Sequence, residues 1–152
     1  MCMISWLAAL SLLVPPLLLV GWLWWGWRRV AALRALTLTG IDRLDGTAFE
    51  LLVAQLLRRD GSAVRHTGKT GDMGADLLAG DYAIQCKRYA KPVGSSAIQE
   101  AHTAATAYGK RYAVVVTTSG FTRAAKKLAR LVNVQLVNRA SLADWLQGRS
   151  VL

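Results

Sequence analysis

The stretch that decides the fold has two short apolar runs around a Gly-Asp pair, and it reads Ala75-Asp76-Leu77-Leu78-Ala79-Gly80-Asp81-Tyr82-Ala83-Ile84-Gln85-Cys86-Lys87. Two such runs joined by this pair predict a tight β-hairpin. Side chains alternate along a strand, so Gln85 and Lys87 share one face and Cys86 lies on the other. The hairpin returns its second strand beside Asp76. An acid, an amide and an amine are therefore expected at one sheet edge.

These three groups have the chemistry needed to hydrolyse a phosphodiester. A carboxylate holds a divalent cation through oxygen, and a nearby amine can orient or activate a water molecule. As a bare pattern the combination is weak, because an ordinary solvent-facing hairpin end explains it equally well. The rest of the chain has to decide between these two interpretations.

The charge of the 152-residue chain is concentrated after residue 27. Residues 1–27 carry no charged side chain, so all 19 Lys and Arg, all 9 Asp and Glu and the net charge of +10 belong to residues 28–152. Such an excess indicates a polyanionic partner, either nucleic acid or an anionic membrane surface. Cys2 and Cys86 lie in different modules, which argues against a disulfide, and the Cys and His spacing indicates no zinc site.

Residues 3–27 are apolar and long enough to cross a bilayer as one transmembrane helix, with a kink expected at Pro15-Pro16. Tryptophans crowd the end of this segment and Arg28 and Arg29 follow directly, which is typical of a cytoplasmic boundary. We expect a single-pass protein of the cell inner membrane with a cytoplasmic C-terminal domain. A cleaved signal peptide fits less well, since the segment lacks a basic start and a small-x-small cleavage site. Two re-entrant segments are a further alternative.

A juxtamembrane connector at 28–45 leads to one expected domain at 46–148. Its predicted helices cover 47–59, 95–108, a stretch that begins after Thr122 as N-cap, and 141–147 with Ser141 as cap. Its predicted strands cover 63–67, the two arms of the hairpin, 111–117 and 134–137. The order predicts an α/β fold with a mixed β-sheet flanked by helices, in which the first strands are antiparallel and helical crossovers join the later ones.

The first helix of this domain carries an acid at the edge of its apolar stripe. The stripe has helical spacing and consists of Phe49, Leu52, Val53, Leu56 and Leu57. Glu50 lies beside it and can reach a neighbouring sheet. Thr47-x-x-Glu50 also matches a capping box, in which Glu50 would only bond the main-chain N–H of Thr47. His66, in the next strand, is expected to be half-buried.

Four cations share one face of the helix after Thr122, at i, i+3, i+4 and i+7: Arg123, Lys126, Lys127 and Arg130. This face is either simply solvated or a ridge that contacts phosphates. Lys69, in a glycine-rich loop at 68–74, and Arg88 and Lys91, after the hairpin, are the other cations expected to contact phosphates if the partner is nucleic acid.

Four blocks of the domain occur in one order: Gly46-Thr-Ala-Phe-Glu50, Gly71-Asp-Met-Gly-Ala-Asp76, Ile84-Gln-Cys-Lys-Arg-Tyr89 and Val114-Val-Val-Thr-Thr-Ser-Gly-Phe-Thr122. In these blocks residues 41–147 resemble the Mrr-type restriction endonuclease domain, a branch of the PD-(D/E)xK nuclease superfamily. The resemblance implies a restriction-endonuclease-like fold and Mg²⁺-dependent cleavage of DNA.

The resemblance also implies roles for single residues. Asp76 matches the metal-binding aspartate, and Glu50 matches the helix-borne acid of the site. Gln85 and Lys87 match a Gln-x-Lys form of the motif, in which Lys87 orients the attacking water or helps to deprotonate it, and stabilises charge in the transition state. The main-chain carbonyl of Cys86 is a further implied metal ligand, and Asp72 has a supporting role.

The neutral Gln85 leaves Asp76 and Glu50 as the anionic ligands, so we expect one tightly held Mg²⁺ and a weaker second ion. The expected function is a membrane-anchored DNA endonuclease of the type IV restriction class that acts on foreign, modified or branched DNA. Its expected partners are DNA and, through the N-terminal helix, the lipid bilayer, with a homodimer as an option. The alternatives are a non-catalytic DNA-binding module of the same fold and a membrane-surface protein whose basic face contacts anionic lipid.

Overall fold

The computed structural model describes residues 38–68 and 73–152. The transmembrane helix expected at 3–27, the connector up to residue 37, and Lys69 and Asp72 lie outside the described residues. Within the two described stretches, no helix combines the length and the apolar character that crossing a bilayer requires. The elements in chain order are α1 (Leu38–Ile41), α2 (Gly46–Arg59), β1 (Val64–His66), β2 (Leu77–Ala79), β3 (Tyr82–Lys87), α3 (Ser95–Ala107), β4 (Tyr112–Thr117), α4 (Arg123–Leu131), β5 (Val134–Val137) and α5 (Arg139–Leu146).

The five strands form one mixed sheet in the order β1-β2-β3-β4-β5. The β1–β2 and β2–β3 pairs are antiparallel, and the β3–β4 and β4–β5 pairs are parallel. The predicted hairpin is confirmed, because Ala79 pairs with Tyr82 across the Gly80-Asp81 turn. Gly80 has a φ of +52°, a left-handed conformation that glycine adopts without a steric penalty. The mixed α/β sheet that the order of elements predicted is therefore confirmed.

The two central strands, β3 and β4, are buried almost throughout. Their parallel register pairs Gln85 with Val115 and Lys87 with Thr117. Since parallel strands end at the same edge of a sheet, Lys87 and Thr117 mark one edge, and the Gly80-Asp81 turn marks the opposite edge. Lys87, one of the predicted site residues, is thus at the carboxyl edge of the central strands, and Gln85 lies two residues before it.

Helix α2 buries the whole predicted stripe, in which each residue is at most 4% exposed. Its start differs from the capping box that Thr47 and Glu50 suggested. Asp45 is the N-cap, and its Oδ1 accepts from the N–H of Ala48 at 2.7 Å. Thr47 is therefore inside the helix, and that capping-box interpretation is wrong.

Helix α3 packs against β3 and β4 through a face of small side chains, among them Ala97, Ala101 and Ala104, each at most 2% exposed. Short side chains let the helix axis come close to the sheet. Helix α4 lies next to α3 and shares the same apolar cluster through Ala125 and Ala129. Ala83 and Val115 supply the sheet side of this cluster. One face of the sheet therefore carries α3 and α4.

Two further expectations are corrected by the structure. The last helix begins at Arg139 with Asn138 as N-cap, whose Oδ1 accepts from the N–H groups of Ala140 and Ser141, so Ser141 is not the cap. His66 is exposed because β1 is an edge strand. The predicted cap at Thr122 is confirmed, since its Oγ1 accepts from Ala125 N–H at 3.1 Å.

Candidate active site

Asp76 is held at the entrance to the hairpin by its main chain and its side chain. Its N–H donates to the Ile84 carbonyl at 2.9 Å, and its own carbonyl accepts from Thr67 N–H at 3.1 Å. Its Oδ2 accepts from the Cys86 N–H at 2.6 Å. Asp76 thus contacts both chain neighbours of Gln85. The carboxylate has a fixed position beside the last residues of β3.

Gln85 is buried, and one of its polar atoms has no partner among the described residues. The residue is 6% exposed, and its Oε1 accepts no hydrogen bond within residues 38–68 and 73–152. Leaving a buried amide oxygen unpaired costs about 1–3 kcal/mol. Such an atom at this position is ready to accept a ligand. Amide oxygen is also a ligand type that hard divalent cations use.

Lys87 forms an ion pair that no motif indicated. Its Nζ lies 2.8 Å from Oε2 of Glu100 on α3, with the two side chains 19% and 42% exposed. Burial alone would lower the pKa of Lys87, but the hydrogen bond and the charge of Glu100 outweigh it, with help from Tyr89 and Asp76. The net result is a raised pKa. Lys87 is therefore a cation at neutral pH.

Cys86 faces away from Lys87 and is 8% exposed, as the alternation along β3 predicted. Burial raises the pKa of its thiol well above the ordinary value, and the negative charges of Asp76 and Glu50 raise it further. Both carboxylates therefore act on the same buried group, which links Glu50 of α2 to the end of β3. The thiol stays protonated, so only the main chain of Cys86 is suited to bind a metal.

Among the described residues, no three His, Cys, Asp or Glu side chains are grouped so that they could hold a metal ion. The expected ligands include only two carboxylates, those of Asp76 and Glu50, and the other donors are the Gln85 amide and the Cys86 carbonyl. These are all oxygen donors, which suits Mg²⁺. The unpartnered Gln85 Oε1 fits this ligand set.

Three consecutive hydroxyl residues at the end of β4, Thr117 to Ser119, hold the basic segment that begins at the end of β3. Thr117 donates to the Lys87 carbonyl at 2.7 Å, Thr118 donates to the Tyr89 carbonyl at 3.2 Å, and Ser119 donates to the Lys91 carbonyl at 2.8 Å. These bonds fix the path of residues 87–91. The sequence patterns assign no such role to Thr117-Thr118-Ser119. The sequence feature that could have indicated these hydrogen bonds is the run of hydroxyl residues at the end of a buried strand.

The expected DNA contacts differ in their surroundings. The four cations of α4 are exposed, whereas its Ala125 and Ala129 are buried. Lys91 is exposed, and the Arg88 guanidinium donates to the main-chain carbonyl of Asp42. An open groove of about 420 Å³ runs between α4 and β5 and is lined in part by Lys126, Arg130 and Asn133. Lys69 lies outside the described residues.

Glu100 also anchors the loop that leads to Asp76. Gly74 has a φ of +90°, and a Cβ added there would lie 2.7 Å from the main-chain oxygen of Glu100. Only glycine allows this approach. Glu100 thus contacts the segment before Asp76 through its main chain and Lys87 through its side chain. The sequence offered no motif that would have indicated either contact.

Comparisons with known proteins identify the family. The profile of the restriction endonuclease family Mrr_cat matches residues 41–146, well over half of the chain. No curated protein matches this chain significantly. Among solved structures, the crystal structure of a protein of unknown function, AF1548, is similar with 21% sequence identity and a TM-score of 0.46. That match covers 59% of this chain and 55% of the other chain. By the extent of the family match, the chain belongs to the Mrr_cat restriction endonuclease family and carries a restriction-endonuclease-like DNA nuclease domain.

Proposed function

We propose that the domain is a Mg²⁺-dependent DNA endonuclease that hydrolyses phosphodiester bonds with Asp76, Gln85, Lys87 and Glu50. The main support for the proposal is the buried Oε1 of Gln85, which accepts no hydrogen bond from any residue that the structure describes. Asp76 bonds the residues on both sides of Gln85, and Lys87 follows two residues later on the same strand. A purely structural hairpin end does not need a buried amide oxygen that lacks a partner among the described residues.

Mg²⁺ would be held by the carboxylates of Asp76 and Glu50, the amide oxygen of Gln85 and the carbonyl of Cys86. When bound, it supplies a Lewis acid for a phosphoryl oxygen and lowers the pKa of a water ligand. The hydrogen bond from Cys86 N–H to Asp76 Oδ2, at 2.6 Å, keeps the Asp76 carboxylate in place for this task.

Lys87 acts as a cation rather than as a base. Its raised pKa, which the hydrogen bond and the charge of Glu100 cause against the effect of burial, keeps its ammonium group protonated at neutral pH. An ammonium group can orient the attacking water and stabilise the negative charge that develops on the phosphoryl oxygens. This supports the orienting and stabilising role that the family resemblance implied for Lys87, and it argues against a role in deprotonation.

DNA is proposed to lie against the carboxyl edge of the sheet and to contact the cations of α4. Arg123, Lys126, Lys127 and Arg130 are exposed, and within residues 28–152 cations exceed acids by ten. Contacts of this kind bind the phosphate backbone without reading the bases. Lys69, Arg88 and Lys91 are the remaining proposed contacts. A homodimer would present two such sites to one duplex.

We further propose that residues 3–27 anchor the nuclease in the inner membrane. We assign the enzyme to the type IV restriction class and propose foreign, modified or branched DNA as its substrate. The charge-free segment 1–27 and the arginines that follow it support this placement. Fractionation of cells that produce the full chain tests it. We expect the protein in the membrane fraction, with its nuclease domain protected from protease in intact spheroplasts.

A non-catalytic DNA-binding module is the second candidate. The observation that favours it is the row of exposed cations on α4, because these side chains can bind phosphates whether or not the domain cleaves DNA. Cleavage assays separate the two candidates. Under the nuclease proposal, a protein of residues 36–152, which form one compact unit, nicks supercoiled plasmid with Mg²⁺ or Mn²⁺ and not with EDTA. DNA that is bound but uncut in every form tested, including methylated and branched DNA, supports the binding module.

A further inference from the structure

Glu100 is an acid next to the proposed catalytic lysine, on an element that none of the site motifs includes. It lies on α3, between the buried Ile98 and Ala101, at the side of the helix that meets the end of β3. Its Oε2 is 2.8 Å from Lys87 Nζ. The ammonium end of a long, flexible side chain is thereby held at one point.

The main chain at Glu100 is also fixed. Gly74 approaches it so closely that a Cβ at Gly74 would lie 2.7 Å from the Glu100 oxygen and 2.9 Å from its carbonyl carbon. Gly74 precedes Asp76 by two residues. Glu100 therefore contacts two segments of the site: its main chain lies against Gly74, just before Asp76, and its side chain binds Lys87 at the end of β3.

The pairing is compatible with catalysis. An ammonium group has three N–H donors, and Glu100 takes one of them. The others stay available for a water molecule or a phosphoryl oxygen. Position 85 carries a neutral amide, so within β3 no acid precedes Lys87 that could pair with it. The negative charge that pairs with Lys87 comes instead from Glu100 on α3.

From these contacts, and resting on the nuclease function proposed above, we infer that Glu100 is the positioning residue of Lys87: its carboxylate holds the ammonium group where it serves the cleavage step. A flexible lysine without this partner can adopt other rotamers, and misplacement of a reacting group by about 1 Å can cost on the order of 100-fold in rate. The substitution Glu100→Gln keeps the length of the side chain and removes its charge.

We expect Glu100→Gln to lower kcat for plasmid nicking by about 10- to 100-fold, while KM for DNA and the melting temperature stay near their wild-type values. The matched control is Asp144→Asn, which removes a carboxylate from another helix, where Asp144 pairs with the exposed Arg149. This control should cut DNA like the wild type.

A measurement independent of cleavage accompanies the kinetics. In ¹⁵N-labelled full-length protein, a lysine ammonium group held by a hydrogen bond exchanges slowly with water and gives an NMR signal, assigned to Lys87 by its loss in Lys87→Arg. We expect this signal to disappear in Glu100→Gln. The signal of Lys110, whose Nζ donates to the Gly80 carbonyl at 2.7 Å, should remain and serves as the internal reference.

The outcomes are distinct. Wild-type protein that cuts DNA while Glu100→Gln cuts at the same rate or faster overturns the inference alone. A Lys87 signal that is unchanged in Glu100→Gln also overturns it. Wild-type protein that cuts no DNA overturns the proposed function, and with it any role of Glu100 in cleavage.

Discussion

Gln85 is the residue at which the proposed site departs most from a set of charged ligands. It is buried, neutral and unpartnered among the residues that the structure describes. Hard cations bind more tightly as the number of anionic ligands rises. A neutral ligand at this position therefore predicts weaker capture of metal, and especially of a second ion.

The substitution Gln85→Glu should tighten Mg²⁺ binding, on the order of tenfold in the dissociation constant, because it adds an anionic oxygen ligand. Isothermal titration calorimetry on the folded domain measures the change. Gln55→Glu is the control, since it adds the same charge at an exposed position of α2. Equal Mg²⁺ affinity for both variants would count against Gln85 as a ligand.

Cys86 offers a test of how well water is excluded from the end of β3. Burial first, and then the charges of Asp76 and Glu50, raise the pKa of its thiol far above the ordinary 9.0. The unfolded chain loses this proton near pH 9, whereas the folded chain keeps it. The contribution of Cys86 to stability is therefore complete below about pH 9 and is lost as the pH rises through the folded pKa.

We accordingly expect Cys86 to resist iodoacetamide in the native protein at pH 8 and to react after unfolding in urea, because only the thiolate is nucleophilic and the native thiol stays neutral. Mass spectrometry of the Cys86 peptide measures the labelling. Rapid native labelling would mean that the end of β3 opens to solvent far more than its 8% exposure indicates.

At the scale of elements, the approach of the glycine-rich loop to α3 sets the geometry of the site. Gly74 and Gly61 have nearly the same backbone conformation, with φ of +90° and +92°. A Cβ at Gly74 would collide with the main chain of Glu100, whereas a Cβ at Gly61 would meet nothing within 4 Å. The two positions therefore separate backbone strain from steric collision.

We expect Gly74→Ala to lower the free energy of unfolding by at least about 2 kcal/mol more than Gly61→Ala, because a collision with a packed helix adds to the strain of a positive φ. Urea denaturation followed by circular dichroism measures both. Equal losses for the two variants would show that the loop moves away from α3 at little cost.

The helices and strands also show which structural features local sequence patterns can predict. The Gly80-Asp81 hairpin, the stripe of α2 and the Thr122 cap were predictable, because each depends on residues close together in the chain. The caps at Asp45 and Asn138 were missed because neighbouring Thr47 and Ser141 matched the same preferences. Sequence preference names the residue types that cap a helix, and packing decides which of them does so.

The site was predictable in part for the same reason. Asp76, Gln85 and Lys87 lie on one hairpin, so turn and alternation bring them together. Glu100 could not be found this way, since its contact with Lys87 depends on the packing of the alanine-rich face of α3 against β3 and β4. Long-range pairs between a helix and a strand end leave no pattern in a single sequence.

At the scale of the whole molecule, we propose separate tasks for the cationic face of α4 and for the hairpin site. The cations are expected to bind phosphates without sequence preference, and the hairpin is expected to cut. Charge removal on α4 should therefore weaken binding uniformly and leave the cleavage step itself unchanged.

For the double variant Lys126→Gln/Lys127→Gln, we expect the slope of log Kobs against log salt to fall in magnitude by about 2, because each phosphate contact contributes about 0.9. Fluorescence anisotropy with duplex DNA and EDTA measures it. Lys110→Gln/Arg111→Gln removes the same charge at the opposite edge of the sheet, beside the Gly80-Asp81 turn, and serves as control. Equal slopes for both double variants would mean that α4 makes no special contact with DNA.

The most direct test of the proposed metal-dependent nuclease site is nicking of supercoiled plasmid. The wild-type domain, Asp76→Asn and Lys87→Ala are each assayed with Mg²⁺ and with EDTA, and the DNA affinity of each protein is measured in parallel. We predict nicking by the wild type with Mg²⁺ only, and a loss of about 100-fold or more in both variants, with DNA binding largely retained. Nicking by Asp76→Asn at the wild-type rate, or wild-type nicking that EDTA does not stop, would contradict the proposal.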